Sequence, residues 1–383
     1  MITKKIIKYV ALLLTLVMLL SLCACSSGVA KASLRAGKTV ARAGGTDIPY
    51  ETLYFLAMNQ IADMKAVYGE KVFEDPARVQ ELKDFVYGNL FGHTEAMVLI
   101  GAEYGLDLSK GSLADQVQAY VDTMLANNFE NDHDSYIEML DAGYMTDNYL
   151  RTYIGVSEYL TDAIIREMLQ RGELDDSDEA AMAAINGADF VHVYQVLIDP
   201  ALSRLTDEEA KAKAEKLRES VAAAEGGEAR FDAMRVAIQS SLAVDGGEGL
   251  YFGRGEMEDV FEQAAFALED YGVSEVFATD DGYRFLLRMP KDAAYIDDNF
   301  EELKQKTYYI TLNRMAETLI AETEVELTSY GESLDLLDLP EISAEGGEWV
   351  DIVITLGGIG VAVALVVVLV KFWPDKEKKS KKS

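Results

Sequence analysis

The sequence predicts an α+β protein in which a β-α-α-α-β-β module is inserted into a mostly helical domain, with a transmembrane helix near the C-terminus. Three observations support this class. Apolar residues recur at helical spacing over 50–170 and again over 297–327. Between these two ranges, short β-rich runs alternate with helical segments. Residues 352–370 form a stretch of 19 residues without a charge.

The first 25 residues have the pattern of a secretory signal peptide. Lysines precede an apolar run, which ends at Leu22-Cys23-Ala24-Cys25. This ending resembles a bacterial lipobox, in which the signal is cleaved before a cysteine that is then lipidated; here that residue would be Cys25. Cys23 departs from the pattern, because Ser or Ala is more usual at that position. Cleavage after another small residue and an uncleaved anchor are the alternatives.

The C-terminus carries a second membrane signal. At a rise of about 1.5 Å per residue, a helix over 352–370 would cross a hydrocarbon core of roughly 30 Å. The tail at 371–383 contains six lysines and two acidic residues, and the positive-inside rule places such a tail in the cytoplasm. We therefore expect the chain at the cell membrane, with its bulk on the extracytoplasmic face.

Composition excludes some classes of partner and site. The formal net charge is −31 and the sequence pI is about 4.4, so the surface repels nucleic acid and no nucleic-acid partner is expected. Cys23 and Cys25 are the only two cysteines, which leaves no disulfide and no cysteine-based zinc site in the exported part. The cluster at 132–134 (Asp-His-Asp) is better explained as a solvated loop, and no metal site is expected.

The helical part is expected to start after a short β element. Residues 38–51 predict a strand, a tight turn at Gly44-Gly45 and a helix that starts near Asp47 and Pro49. About four to six amphipathic helices follow. Residues 172–190 are acidic and rich in Gly and Ala, and they predict a linker or the tail end of a helix.

The pattern changes after residue 190. The predicted elements are, in order, a strand at 191–198, a helix opened by a Thr206/Glu209 capping box, a helix at 231–238, a helix at 258–268, and strands at 273–276 and 283–289.

A glycine-rich stretch, GGEGLYFGRGEM, precedes the third of these helices. It does not fit a phosphate loop, because Phe252 stands where a dinucleotide loop needs its third glycine. The Gly-Lys-Ser/Thr ending of a P-loop is also missing, and Glu248 and Glu256 would repel an anion. The stretch therefore needs another explanation.

That explanation comes from a resemblance. In order, the segments YQVLI, FDAMRVA, GGEGLYFGRGEM, VFEQAAFAL and YGVSEVFATDDGYRFLL over residues 191–290 resemble the parvulin-type peptidyl-prolyl isomerases. The arrangement is similar to that of membrane-attached PrsA- and SurA-like foldases. The resemblance implies a helical chaperone domain at 26–187, a parvulin-like domain at 188–290 and a helix packing back on the chaperone domain at 291–335. The membrane signals add a signal segment at 1–25, a linker at 336–351, a transmembrane helix at 352–370 and a basic cytoplasmic tail at 371–383.

The resemblance implies an apolar, proline-binding half of the site. Met257 and Phe261 match the family's proline-pocket residues, Phe252 matches its loop aromatic, and Thr279 matches a common family position. If 258–268 is a helix, Met257 and Phe261 share one face of it. Ordinary core packing is the alternative explanation of this pair.

The polar half departs from the family. Gln195 and Arg284 replace its two histidines, and Ser240 aligns with a family Asp or Cys. Neither Gln195 nor Arg284 can reproduce a neutral imidazole, so the resemblance implies weak or absent catalysis. Arg284 could instead be a strand residue turned to solvent. His192 falls on the opposite face of the strand from Gln195.

The implied function is assistance in protein folding outside the cytoplasm. An X-Pro bond isomerises over a barrier of about 18–20 kcal/mol, and an apolar pocket with polar groups suffices to lower it, without cofactor or metal. The expected partners are unfolded or newly exported polypeptides with X-Pro bonds, and the membrane through lipidated Cys25 and the 352–370 helix. The alternative is a catalytically inactive module of the same fold that serves as a chaperone or scaffold.

Overall fold

The structure is a computed structural model that describes residues 35–241, 249–279 and 281–340. The predicted signal segment with Cys25, the predicted span at 352–370 and the basic tail lie outside these residues. Within the described ranges, no helix combines the length and the apolar character that crossing a membrane requires.

Eight α-helices precede the module in the described chain. They are α1 Tyr50–Tyr68, α2 Pro76–Gly88, α3 His93–Glu103, α4 Gly111–Phe129, α5 His133–Ala142, α6 Asp147–Gly155, α7 Thr161–Arg171 and α8 Asp178–Asn186, with a 3₁₀ turn at Val72–Glu74 and a π-helical turn at Val156–Leu160. Helix α1 shows why they form: Tyr50, Leu53, Tyr54 and Ala57 recur at helical spacing and are all fully buried.

A three-stranded antiparallel sheet joins the two ends of the described chain. Strand β1 (Thr39–Ala43) lies between β2 (Thr46–Pro49) and β7 (Val325–Leu327), which follows the module in sequence. The Thr328 N–H donates to the Val40 carbonyl over 2.9 Å. The helical domain is therefore built from both sides of the inserted module.

The module is a four-stranded antiparallel sheet with helices on both faces, in the order β4-β3-β6-β5. Its elements are β3 Phe190–Ile198, α9 Pro200–Ser203, α10 Asp207–Ala222, α11 Gly227–Ile238, β4 Leu250–Gly253, α12 Asp259–Phe266, β5 Phe277–Thr279 and β6 Gly282–Met289.

The alternation of strand β3 divides the module between two clusters. Tyr194 and Val196 pack with α10 and α11, whereas Val191 and Val193 pack with α12. Gln195 has the same parity as Val191 and Val193. It therefore lies on the α12 face, which carries the candidate site.

After the module the chain returns to the helical domain. Helix α13 (Ala293–Asp298) leads into α14 (Phe300–Glu322), and β7, α15 (Ser329–Glu332) and a 3₁₀ turn at Leu336–Asp338 follow. Helix α14 contacts α3, α7 and α8 and also β4 of the module. Together with α8, which contacts β3, it joins the two parts.

Several predicted elements were wrong in position. The predicted strand at 273–276 is displaced: β5 starts at Phe277, and Val273 forms only an isolated bridge with Leu287. The cause is Ser274, whose hydroxyl accepts the Leu286 N–H over 2.9 Å, so that a side chain replaces a carbonyl in the ladder. The glycine-rich stretch contains strand β4, although no strand was predicted there.

Helix boundaries also differ from the prediction. The first helix starts at Tyr50 with Pro49 as its N-cap, which confirms the start predicted near Pro49, whereas Asp47 lies in β2. The predicted linker at 172–190 contains α8, which the Ser177 hydroxyl caps by accepting the Ala180 N–H. The helix predicted at 297–327 is interrupted by Asn299 and ends at Glu322, where the chain enters β7.

The closure of the helical domain can be tested at Gly331. A Cβ atom at this buried glycine would lie 2.1 Å from the Val40 carbonyl oxygen. We expect Gly331→Ala to lower the free energy of unfolding by about 1–3 kcal/mol, measured by urea denaturation. Gly88→Ala, where a Cβ meets nothing within 4 Å, is the matched control and should be neutral or slightly stabilising. Equal stability of the two variants would contradict this packing.

Candidate functional site

Three of the polar residues singled out in the sequence meet on the α12 face of the module sheet. The Arg284 guanidinium donates from Nη1 to Oε1 of Gln195 and from Nε to the Thr279 hydroxyl at 3.0 Å. It also donates from Nη2 to a carboxylate oxygen of Asp281 at 2.8 Å. The Arg284 side chain is 12% exposed, so it does not project into solvent.

Strand register explains this convergence. Arg284 lies opposite Phe277 on β5 and opposite Leu197 on β3. Thr279 has the same parity as Phe277, so both side chains stand on the face of Arg284. Gln195 is the diagonal neighbour of Arg284 across β3 and β6, within reach of a long side chain.

The guanidinium retains capacity to bind a ligand. An arginine carries five N–H donors, and the bonds to Gln195, Thr279 and Asp281 occupy three of them. Two N–H groups therefore remain for a further acceptor among the described contacts. Arg284 also lies 5.9 Å from the centroid of the Phe261 ring, within the range of a cation–π contact.

The apolar half lies directly beneath this arginine. Phe252 and Phe261 are 1% and 3% exposed and belong to the cluster that joins β3, β4 and α12. The Phe261 ring packs edge-on against Phe277, with 5.9 Å between centroids. Met257 and Phe277 are only partly buried. The phenylalanines at 252 and 261 thus form the floor, and Met257 and Phe277 are among the partly buried apolar side chains packed against it.

Met257 does not lie on the helix with Phe261. Helix α12 starts at Asp259, after Glu258, and ends at Phe266, so it is shorter than the predicted 258–268. Met257 is instead held by the preceding turn, where the Glu262 carboxylate accepts the N–H groups of Glu256 and Met257 at 2.9 and 3.1 Å. Burial raises the pKa of Glu262 above its ordinary value.

Ser240 is not brought into this group. It follows the end of α11, where its N–H donates to the Ala237 carbonyl, and its side chain is exposed. The chain between Ser241 and Gly249, including Gly246, Gly247 and Glu248 of the glycine-rich stretch, lies outside the described residues.

The remaining glycine turn, residues 253–257, packs tightly against helix α14. A Cβ at Gly253 would lie 2.0 Å from Cδ1 of Ile310, so this close approach requires glycine. Gly255 has φ of +79°, and a Cβ there would lie 3.0 Å from Nδ2 of Asn313. The glycines of this stretch therefore serve a contact between the module and the helical domain.

A buried ion pair fixes the same contact. Glu256 and Lys306 are 4% and 8% exposed, and their charged atoms are 3.1 Å apart. Glu256 also accepts the Gly253 N–H at 3.1 Å, while Lys306 donates to the Tyr251 carbonyl at 3.2 Å. Burial raises the pKa of Glu256, and the charge of Lys306 opposes that shift.

Sequence reasoning did not identify three residues of the site. Phe277 alternates with Thr279 and so carried a local signal of strand parity. Asp281 carried none, because it precedes β6 and lies an odd number of positions from Arg284. Lys306 carried no such signal, because its partner Glu256 is distant in sequence. In the described part of the chain, no three His, Cys, Asp or Glu residues are grouped so that they could hold a metal ion.

Comparison with known proteins identifies the module. The family model of the rotamase (PPIC-type PPIASE) domain matches residues 196–289. This match confirms the resemblance to the parvulin-type isomerases. It runs from the last three residues of β3 to the end of β6 and therefore includes Phe252, Met257, Phe261 and Arg284; Gln195 immediately precedes it.

Solved structures give a weaker likeness over about three quarters of the chain. The foldase protein PrsA from Streptococcus pneumoniae is 18% identical, with 75% of this chain and 92% of that chain covered, at a TM-score of 0.30. PrsA from Bacillus subtilis is 17% identical, with 75% and 91% covered and a TM-score of 0.23. These TM-scores are too low to establish a shared arrangement of the whole chain. A search of curated proteins gave no match.

The ion pair gives a test of how the site is supported. Lys306→Met would leave the Glu256 carboxylate buried without its partner, and we expect the free energy of unfolding to fall by about 3–5 kcal/mol, measured by urea denaturation. Adding Glu256→Gln to Lys306→Met should recover part of this loss, because the uncompensated charge is gone.

Lys71→Met is the matched control for this measurement. The Lys71–Glu74 pair is 85% and 73% exposed at its two side chains, and its loss should leave stability unchanged. An equally small effect of Lys306→Met would contradict the contact between Glu256 and α14.

Proposed function

We propose that the chain is an extracytoplasmic folding factor that binds newly exported polypeptides and isomerises their X-Pro bonds at the module. The observation that carries this proposal is the rotamase match over residues 196–289. The geometry of Met257, Phe277 and Arg284 supports it, because an apolar surface and a hydrogen-bond donor adjoin each other at one place.

The proposed chemistry follows from the nature of the amide bond. The planar amide is stabilised by charge-separated resonance, which is lost as the C–N bond twists. An apolar surface therefore disfavours the planar form relative to the twisted one. In the proposed site the proline ring contacts Met257 and Phe277 above the ring of Phe261.

Arg284 supplies the polar contribution in this proposal. When the amide twists, the lone pair of the proline nitrogen leaves conjugation and becomes a hydrogen-bond acceptor. One of the two remaining N–H groups of Arg284 donates to it, and Gln195, Thr279 and Asp281 hold the guanidinium in place. Such a bond is made in the transition state and not in the planar ground state, as catalysis requires.

A second candidate is a binding module without catalysis. The observation that favours it is the polar set itself: Gln195 and Arg284 stand where the family has histidines, and the guanidinium already donates to three protein acceptors. In this version the same surface binds a proline-containing segment and does not lower the barrier to isomerisation of the X-Pro bond. The chain would then act as a chaperone or scaffold.

The proposed location is the outer face of the cell membrane. The sequence patterns that support it are the lipobox-like ending at Cys25, the apolar stretch at 352–370 and the basic tail at 371–383. In this arrangement the helical domain at 26–187 and the helix region at 291–335 hold the client. The parvulin-like domain at 188–290 acts on its prolyl bonds.

Proline-limited refolding tests the catalytic proposal. The full chain, in mild detergent, should accelerate the slow phase of a client whose refolding waits on an X-Pro bond. Met257→Ala removes apolar surface from the site, and we expect it to lower the acceleration roughly tenfold, which corresponds to about 1.4 kcal/mol. Val236→Ala, at a 65% exposed position on α11, is the control and should leave the rate unchanged.

The outcomes separate the two candidates. Suppression of client aggregation without acceleration of refolding would establish the non-catalytic module and reject isomerisation. If the wild-type chain neither suppresses aggregation nor accelerates refolding, the folding-factor proposal is rejected. Equal rates for Met257→Ala and wild type would place catalysis elsewhere.

A further inference from the structure

A large cavity lies in the helical domain, apart from the module's candidate site. Its volume is about 1080 Å³, and it is lined by residues of α1, α3, α6 and α14 together with Glu256 and Asp259 from the module. Gln195, Met257, Phe261 and Arg284 do not line it. A volume of this size is at the upper end of the range for ligand sites.

The cavity wall is aromatic in part. Phe85 presents a ring that is 38% exposed, and Tyr149 and Tyr153 are partly buried lining residues, whereas Phe55 and Phe91 are buried in the core. Side chains of this type bind apolar groups through a large contact area. The lining therefore suits a ligand with apolar side chains.

The charge of the lining is one-sided. Seven lining residues are Asp or Glu. Glu256 is paired with Lys306, the one lysine of the lining, and Asp47 is paired with Arg42. Asp259 and Glu317 are exposed. Because cavities lined by charge of one sign focus the electrostatic potential, this one attracts cations.

His93 and Glu95, the latter one of these seven acidic residues, add little charge to the lining. Burial lowers the pKa of His93 and raises the pKa of Glu95, in each case against the charged form. Neither group supplies a positive charge that would cancel the carboxylates at neutral pH. The cavity is negative as well as aromatic.

We infer that this cavity binds an extended polypeptide segment in which apolar side chains alternate with lysine or arginine. Charge complementarity and the aromatic lining together select this occupant over an acidic or purely polar segment. The inference rests on the proposed function, since it names the class of client segment that the helical domain takes.

The position of the cavity connects it with the module. Glu256 lines the cavity, and its neighbour Met257 belongs to the candidate prolyl site. A client held in the cavity would present a nearby X-Pro bond to the module at a raised effective concentration. Basic apolar segments close to a proline would therefore be the preferred clients.

Fluorescence anisotropy with three labelled peptides tests this inference on the full chain. The peptides have the same length and the same leucines, and the intervening residues are Lys, Glu or Gln. We expect the Lys peptide to bind roughly tenfold more tightly than the Glu peptide, with the Gln peptide between them. The difference should shrink as salt rises from roughly 0.05 to 0.5 M, because ions screen exposed charges. A peptide with Lys and Ser and no leucine should bind weakly.

A variant pair distinguishes the cavity from the overall acidity of the chain. Asp259→Asn with Glu317→Gln removes two carboxylates from the lining, and we expect it to reduce the preference for the Lys peptide about threefold. Asp232→Asn with Glu228→Gln removes the same charge from exposed positions on α11 and should leave the preference unchanged. An equal effect of the two double variants would overturn the assignment to the cavity.

The remaining outcomes separate this inference from the proposed function. Equal binding of the three peptides would overturn the charge selection and leave the folding-factor proposal standing. If no peptide binds, and client aggregation is not suppressed either, both fall. Equally tight binding of the Lys-Ser peptide would contradict the apolar part of the inference.

Discussion

The buried pair of Glu256 and Lys306 is the interaction on which the geometry of this protein depends. Removing two charges from water is costly, and the cost is offset only when the pair is close and its remaining hydrogen bonds are satisfied. Here the charged atoms are 3.1 Å apart, and backbone groups of Gly253 and Tyr251 complete the set. Any displacement of the module from α14 would leave both charges buried without these partners.

That constraint determines where the apolar half of the candidate site can be. Met257 follows Glu256 directly, and the Glu262 carboxylate binds both of their N–H groups. The turn therefore transmits the position of α14 to the side chain proposed to contact proline. On its other side the same turn lines the large cavity of the helical domain. One short segment thus connects the cavity proposed to hold clients with the site proposed to act on the prolyl bond.

Much of the module could be predicted from local sequence patterns. The strand predicted at 191–198 and the capping box of Thr206 and Glu209 are confirmed, because strand alternation and helix caps are local signals. The prediction failed where a side chain replaced a backbone partner, as at Ser274. Strand β4 was missed for two reasons. Glycines dominate the stretch that contains it, and its pairing with β3 is long-range.

The candidate site likewise combines residues that the sequence indicated with residues that it did not. The resemblance selected Gln195, Thr279 and Arg284 together, and strand parity could have added Phe277. The role of Asp281 depends on the rotamer of Arg284, and that of Lys306 on the packing of α14. Neither contact follows from a helix or strand spacing in the sequence, so neither could be inferred before the structure. The burial of Phe252 and Phe261 likewise follows from packing and not from their family positions.

Exchange NMR on an X-Pro peptide tests the central claim, isomerisation at the module, most directly. Uncatalysed exchange takes tens of seconds or more, so cis and trans signals show no exchange peaks at mixing times of about one second. The account predicts that the full chain produces these peaks, and that Arg284→Leu abolishes them without abolishing peptide binding. A peptide that binds wild-type protein, as its chemical shifts would report, and yet shows no exchange peaks would contradict the claim.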